Sequence, residues 1–174
     1  SLYCHIFVKQ QNLHTNKNNK MRLAILVIGL QDSGKTSTIK HLISLYNGRS
    51  LKVMRAGWKD IFLNSIFKSL RVHFYCIPAS PSETDMELTT RFAEWTWLPE
   101  TLVIAEQAGG RHYTSTINFL TANGYHILRY DILATSGTSD WERFNTGNMT
   151  AKLGGRANQI VADIKGFLRI NGII

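Results

Sequence analysis

The segment "RLAILVIGLQDSGKTSTIKHLISLYNG", residues 22–48, constrains this chain more than any other. Arg22 to Ile28 is an unbroken aliphatic and β-branched run, the pattern of a strand buried on both faces. Ile39, Leu42, Ile43 and Tyr46 then recur at i, i+3, i+4 and i+7, which makes one face of a helix that Asn47-Gly48 stops. Between them lies "GLQDSGKT", a match to G-x-x-x-x-G-K-[ST] at Gly29, Gly34, Lys35 and Thr36. A strand that ends in such a loop and passes directly into a helix is the arrangement in which backbone amides converge on an anion.

Each residue type has a physical reason to be there. Glycine at 29 and 34 lets the backbone curl closely around oxygen atoms without a Cβ in the way. The helix that follows offers free amides and the positive end of its dipole. Lys35 carries the charge that bridges outer phosphates, and the Thr36 hydroxyl suits Mg²⁺. Asp32 lies inside the loop, Ser33 contributes its backbone amide, and Ser37 adjoins the site at the helix start. A chance match in a chain this long is on the order of one in a hundred.

The remaining pattern alternates strand and helix. "LKVMR" (51–55) is a short strand candidate. Residues 58–77 read as a hairpin or two adjacent strands with a polar break near Lys68-Ser69. Thr84 with Glu87 has the spacing of a capping box, for a helix running to about Trp97 that Pro99 ends. "TLVIAE" (101–106) is a strand followed by the Gly109-Gly110 turn. Tyr113, Ile117 and Leu120 mark a helix closed by Asn123-Gly124. "YHILRYDI" is the last expected strand, and Ala157, Ile160, Val161, Ile164, Phe167 and Leu168 share one face of a long final helix. The expected fold is a single α/β domain over 21–174, with a mostly parallel sheet covered by helices on both faces and ligands binding beyond the carboxyl ends of its strands.

Composition narrows the classes. The chain has 174 residues, 44% of them hydrophobic, and a formal charge of +8, compatible with one domain and an anionic ligand. No apolar run approaches the ~20 residues of a membrane span. Cys4 and Cys76 lack the spacing of a zinc or redox pair, and the six histidines show no metal-ligand spacing. A reducing cytoplasm is the default expectation. Residues 1–20 contain Lys9, Lys17 and Lys20 but no acid. They show no periodicity, so they read as a disordered extension ahead of Met21.

The loop is the Walker A pattern, and over residues 22–46 the chain resembles P-loop nucleoside triphosphatases. That resemblance implies a three-layer P-loop sandwich, Mg²⁺-ATP as ligand, and an acid at the end of a neighbouring strand. Glu106 is the first choice for that acid, as metal and catalytic residue, with Asp131 and Asp60 behind it. Gln107 is an alternative for orienting water. "VIAEQAGG" resembles strand ends of dethiobiotin synthetase and its relatives, and "GLQDSGKTSTIKHLI" is similar to the P-loop of the GTPase assisting molybdopterin-guanine dinucleotide synthesis. The second lysine common in that branch is absent, with Leu30 and Gln31 in that region. No N-K-x-D reads guanine, so ATP is expected and GTP stays open. "RHYTST" resembles the D-R-Y-x-x-S of thymidylate kinases, with Gly110 in place of their Asp. Arg111 is the favoured catalytic arginine because it follows the strand-end turn, ahead of Arg91, Arg143 and Arg156.

Three functions remain open at this point. The first is hydrolysis of the γ-phosphate of Mg²⁺-ATP, alone or with a protein partner. The second is transfer of that phosphate to a small-molecule or nucleotide acceptor held by residues around 55–85 and 106–115. The third, a nucleic-acid module with a vestigial loop, ranks last because the basic residues are scattered. Trp95 and Trp97 read as packing residues. Trp58 and Trp141 fall in expected loops, where packing is favoured over stacking on a base.

Overall fold

A computed structural model describes residues 21–64 and 69–174, and within them the strand–helix alternation folds as one α/β unit. The elements are β1 (Arg22–Gly29), α1 (Lys35–Asn47), β2 (Gly57–Asn64), β3 (Ser69–Ile77), α2 (Pro81–Thr84), α3 (Leu88–Arg91), β4 (Thr101–Gln107), α4 (Tyr113–Ala122), β5 (Tyr125–Asp131), β6 (Leu133–Ser136), β7 (Glu142–Arg143) and α5 (Met149–Ile170). The extension proposed for 1–20 lies outside the described residues, as does Lys68 at the expected hairpin break. No helix among the described residues is long and apolar enough to cross a membrane.

Five strands form one sheet in the order β2-β3-β4-β1-β5. β1 runs parallel to both β4 and β5, β3 is parallel to β4, and only the edge strand β2 is antiparallel to its neighbour. β1 is thus internal, and its near-complete burial follows from covering on both faces. Leu23, Ile25 and Val27 point into one core with Ile39, Leu42 and Ile43 of α1 and Ile160, Val161 and Ile164 of α5. Ala24, Leu26 and Ile28 point into the other, against Leu88, Phe92, Phe119 and Leu120. α1 leaves β1 toward the first face while α4 links β4 to β5 across the second. The crevice at the end of β1 is therefore a topological switch point, the place where α/β sheets hold ligands.

Four local expectations need correction. "LKVMR" is not a strand: Leu51 and Met54 lie against the α1/α5 core, and the edge position is taken by β2 through its hairpin with β3. The capping box belongs to Ser80 and Glu83, not Thr84 and Glu87, and Pro81 occupies the first helical turn after it. The single helix to Trp97 is instead two single-turn helices, because Asp85 adopts a left-handed conformation (φ 52°) and ends α2 at once. β5 is also not the final strand. β6 and β7 pair with each other beyond it, in a strap over residues 133–148 that precedes α5.

The strap needs a glycine beneath it: a Cβ on Gly155 of α5 would sit 2.1 Å from an Asp140 carboxylate oxygen. Arg156, fully buried, fastens the strap to α1. It donates to the carbonyls of Asp140 and Glu142 (2.6 Å for the latter) and to Thr38 Oγ1 (3.0 Å), lying against the rings of Trp141 and Phe144. Burial pulls its guanidinium down to about 10, opposed by the charge of Asp140.

The two-sided core predicts a contrast along α5. Ile160 is wholly buried and Ile170 is 86% exposed, so Ile160→Ala should cost about 2–5 kcal/mol in urea unfolding, while Ile170→Ala stays within about 0.5 kcal/mol.

Candidate functional site

Gly29 is the last residue of β1, and its strand neighbours fix where the loop begins. Ala108 N donates to Gly29 O (3.1 Å) and Ile132 N donates to Ile28 O (2.7 Å), so chain from beyond β4 and β5 brackets the loop. The loop then turns on two left-handed residues, Asp32 (φ 56°) and Gly34 (φ 92°). Gly34 could not be anything larger: a Cβ there would lie 2.4 Å from the Phe144 ring of the strap. At Gly29 an added Cβ would meet Ser33 Oγ at 2.2 Å. These two close approaches account for the glycines of the motif in this chain.

α1 begins at Lys35 with no side-chain cap on its first turn, leaving amide donors directed out of the helix end. Ser33 Oγ is buried and has no partner among the described residues. An uncapped helix start beside an orphaned buried hydroxyl, in a loop too tight for a Cβ, fits an anion such as a phosphate group. Asp32, Thr36 and Ser37 are exposed at the same place. Thr36 Oγ1 gives its proton to Pro78 O (2.7 Å), which leaves the lone pairs of that oxygen available to a cation.

Lys35 is only 4% exposed, and its ammonium is folded back onto the loop. It donates to Gly29 O (3.2 Å) and Leu30 O (2.9 Å) and pairs with Glu83 Oε1 (3.1 Å). Glu83 is the residue that motif reasoning misses. It stands 48 positions away in the chain, and its only sequence signal is an S-x-x-E capping pattern, S-P-S-E, which by itself describes a helix start.

Glu106 is fully buried, and both of its oxygens have partners. Oε1 accepts from Ser82 Oγ (3.2 Å) and from its neighbour's amide, Gln107 N (2.8 Å), while Oε2 accepts from Thr116 Oγ1 (2.7 Å). It lies at the loop end of the sheet, in register with Ile28 of β1, but its hydrogen bonds knit β4 to α2 and α4. Ser82 is itself fixed, since His112 N donates to its hydroxyl (3.1 Å) and Gly110 leaves room for it.

The other candidates divide similarly. Arg111 is exposed and pairs with Asp85 (2.7 Å). The same carboxylate receives His112 Nε2 (2.9 Å), and His112 Nδ1 faces Glu87 (3.1 Å). The hydrogen bond from His112 holds the Asp85 carboxyl below its ordinary range, with Arg111 adding to the effect against some desolvation. Arg143 instead touches the loop, its Nη2 donating to Gln31 O (3.1 Å). Asp131 is taken by Arg129, and Asp60 by Arg71 and His73 on the hairpin. Trp58, in β2 instead of a loop, stacks on His73 (4.5 Å) and Trp97 (5.6 Å), and Trp141 stacks on Tyr130 (4.7 Å).

Among the described residues no group of three or more His, Cys, Asp or Glu side chains could hold a metal by itself. Two surface cavities, of about 320 and 520 Å³, run along β5 and α5 and contain none of the loop residues. The loop, unlike either cavity, gathers a buried cation, uncapped amides and an orphaned hydroxyl.

The Glu106 geometry predicts a specific cost. Thr116→Val keeps the shape but strands a buried carboxylate oxygen, and chemical denaturation should register a loss of about 2 kcal/mol.

No protein-family model matches the chain, no curated protein matches it, and no solved structure matches it.

Proposed function

We propose that the chain binds a nucleoside triphosphate, Mg²⁺-ATP, in the loop from Gly29 to Ser37 and cleaves its γ-phosphate. The observation that carries this reading is the buried ammonium of Lys35 lying on the loop carbonyls at the uncapped start of α1. A cation seated there has a use if an anion comes to it. Phosphate oxygens would take the amides of the first turn, with Gly34 allowing the close approach and Ser33 Oγ gaining its missing partner. Lys35 would swing from the carbonyls to the outer phosphates, and Thr36 would present its lone pairs to Mg²⁺. Mg²⁺ would supply charge neutralisation of the phosphates when bound. The likeness of the strand–loop–helix segment to P-loop nucleoside triphosphatases supports the same assignment and a P-loop sandwich as the fold.

Glu106 enters this reading differently from its sequence expectation. Its hydrogen bonds support a role in fixing α2 and α4 against β4, and an acid bound to metal would have to give up one of those donors. The phosphotransferase alternative draws support from one contact: Arg143 puts a guanidinium on the loop at Gln31, where a cation could follow a transferring phosphoryl group. For Arg111 the Asp85 pair is the competing partner.

Binding should appear as linkage. Mg²⁺-ATP at about a hundred times its Kd should stabilise the wild-type protein by ~2.7 kcal/mol, read as a rise in Tm. Lys35→Ala should keep its far-UV dichroism and lose that rise, with calorimetric titration registering no heat. A folded Lys35→Ala protein with wild-type ATP affinity would sink the assignment. Gly34→Ala should also abolish binding, and its strained backbone should cost about 1–3 kcal/mol of stability.

A further inference from the structure

We propose that Glu83 is a displaceable counter-ion for Lys35, so that an anion enters the cradle only by releasing the Glu83 edge of the α2 segment. This rests on the phosphate-cradle reading and adds a specificity-determining residue to it. The ion pair is asymmetric. Lys35 lies beneath at 4% side-chain exposure, and Glu83 lies above it at 31%, so water already reaches the carboxylate that has to leave. A phosphate oxygen seeking the ammonium meets a carboxylate at 3.1 Å from it, and two anions on one lysine repel unless one withdraws.

Withdrawal breaks more than the contact with Lys35. Glu83 Oε2 also accepts from Ser80 N (3.1 Å), and Ser80 Oγ accepts from Glu83 N (3.0 Å), the reciprocal pair of a capping box. Two residues earlier, Pro78 O holds the Thr36 hydroxyl (2.7 Å). Residues 78–83 therefore meet the cradle at both of its chemically active side chains. Behind them, Ser82 is anchored to Glu106 and to the amide of His112. The segment has a fixed side at Ser82 and a releasable side at Pro78 and Glu83. Moving Glu83 off Lys35 costs the capping box on one edge, while the Ser82 anchor keeps the segment in place.

The cradle is thereby tuned against bare phosphate. Lys35 is pre-neutralised, so a polyphosphate without a divalent cation has to pay the full repulsion of Glu83. One that carries Mg²⁺ brings its own compensating charge.

The test compares wild type, Glu83→Gln and Lys35→Ala by calorimetric titration with inorganic tripolyphosphate without Mg²⁺, and with Mg²⁺-ATP. Gln keeps the capping acceptor at the third helical position and removes the charge. Glu83→Gln should bind tripolyphosphate about tenfold more tightly than wild type, with a smaller gain for Mg²⁺-ATP, so the preference for the metal complex narrows. In the wild-type protein, hydrogen exchange at the amides of Ser80 and Glu83 should accelerate on tripolyphosphate binding while the amides of residues 33–37 slow. Equal or weaker tripolyphosphate binding by Glu83→Gln, with wild type binding normally, overturns the counter-ion role alone. Slower exchange at Ser80 and Glu83 overturns it too. Binding of neither probe to wild type overturns the cradle reading and this proposal together, and unchanged binding by Lys35→Ala does the same.

Discussion

β1 has no free side. Its edges are taken by β4 and β5 and its faces by two separate cores, so the chain can leave it only at the carboxyl end, through Gly29. That constraint organises the rest. The loop must begin between the last residues of two parallel neighbours, whose following amides close on Ile28 O and Gly29 O. It must also reach the start of α1 on one face while α4 occupies the other. A short loop meeting both demands bends sharply, which is why two of its residues, Asp32 and Gly34, are left-handed. The same bend aims the start of α1 at the crevice. Helix dipole and exposed amides thus arrive together as a by-product of how a doubly covered strand ends.

Of the ionic side chains buried among the described residues, Glu106, Arg156 and Lys35 bear on this point, and each is compensated differently. Glu106 is met by two hydroxyls and an amide, all neutral donors from its own surroundings. Arg156 is met by two carbonyls, a hydroxyl and two aromatic faces, and desolvation still lowers its proton affinity. Lys35 is the one of the three held in a direct ion pair, with Glu83. Neutral donors on a buried carboxylate lock geometry, since taking one away leaves an unsatisfied charge. A partly exposed carboxylate on an ammonium is the exchangeable arrangement, because another anion can replace it without leaving the cation bare.

Much of this was legible in the residues. The aliphatic run from Arg22 to Ile28, the 3.6-residue spacing in α1, α4 and α5, and the hairpin of β2 and β3 all follow from periodicity and turn chemistry. All six residues assigned to the inner face of α5 are buried. The loop was legible because its glycines, lysine and threonine all lie between Gly29 and Thr36. What escaped depends on contacts between distant segments. "LKVMR" has strand-like residues, but the hairpin takes the edge it would need. Asp85 breaks a helical pattern through a conformation that side-chain periodicity does not encode. Glu83 reaches Lys35 across 48 positions because the chain leaving β3 runs over the carboxyl end of the sheet, where Pro78 meets Thr36 and Ser82 meets Glu106.

That crossing covers the loop on one side. With β4 interposed, the connection from β3 returns to the second face of the sheet by passing over the carboxyl edge, and residues 78–85 lie across it. Ser80 is wholly buried there as the cap, and Ser82 is tied to Glu106 on the strand beneath. On the opposite side of the loop, the strap from β5 to α5 places Arg143 on Gln31 and Phe144 on Gly34. The two covers differ in kind. The strap is clamped by Arg156, whose removal would unseat buried groups on α1 and α5 together. The α2 segment touches the loop through one carbonyl and one carboxylate. Under the proposed reading a ligand entering between them would meet less resistance on the α2 side, and the difference in fastening would set the direction from which the loop opens.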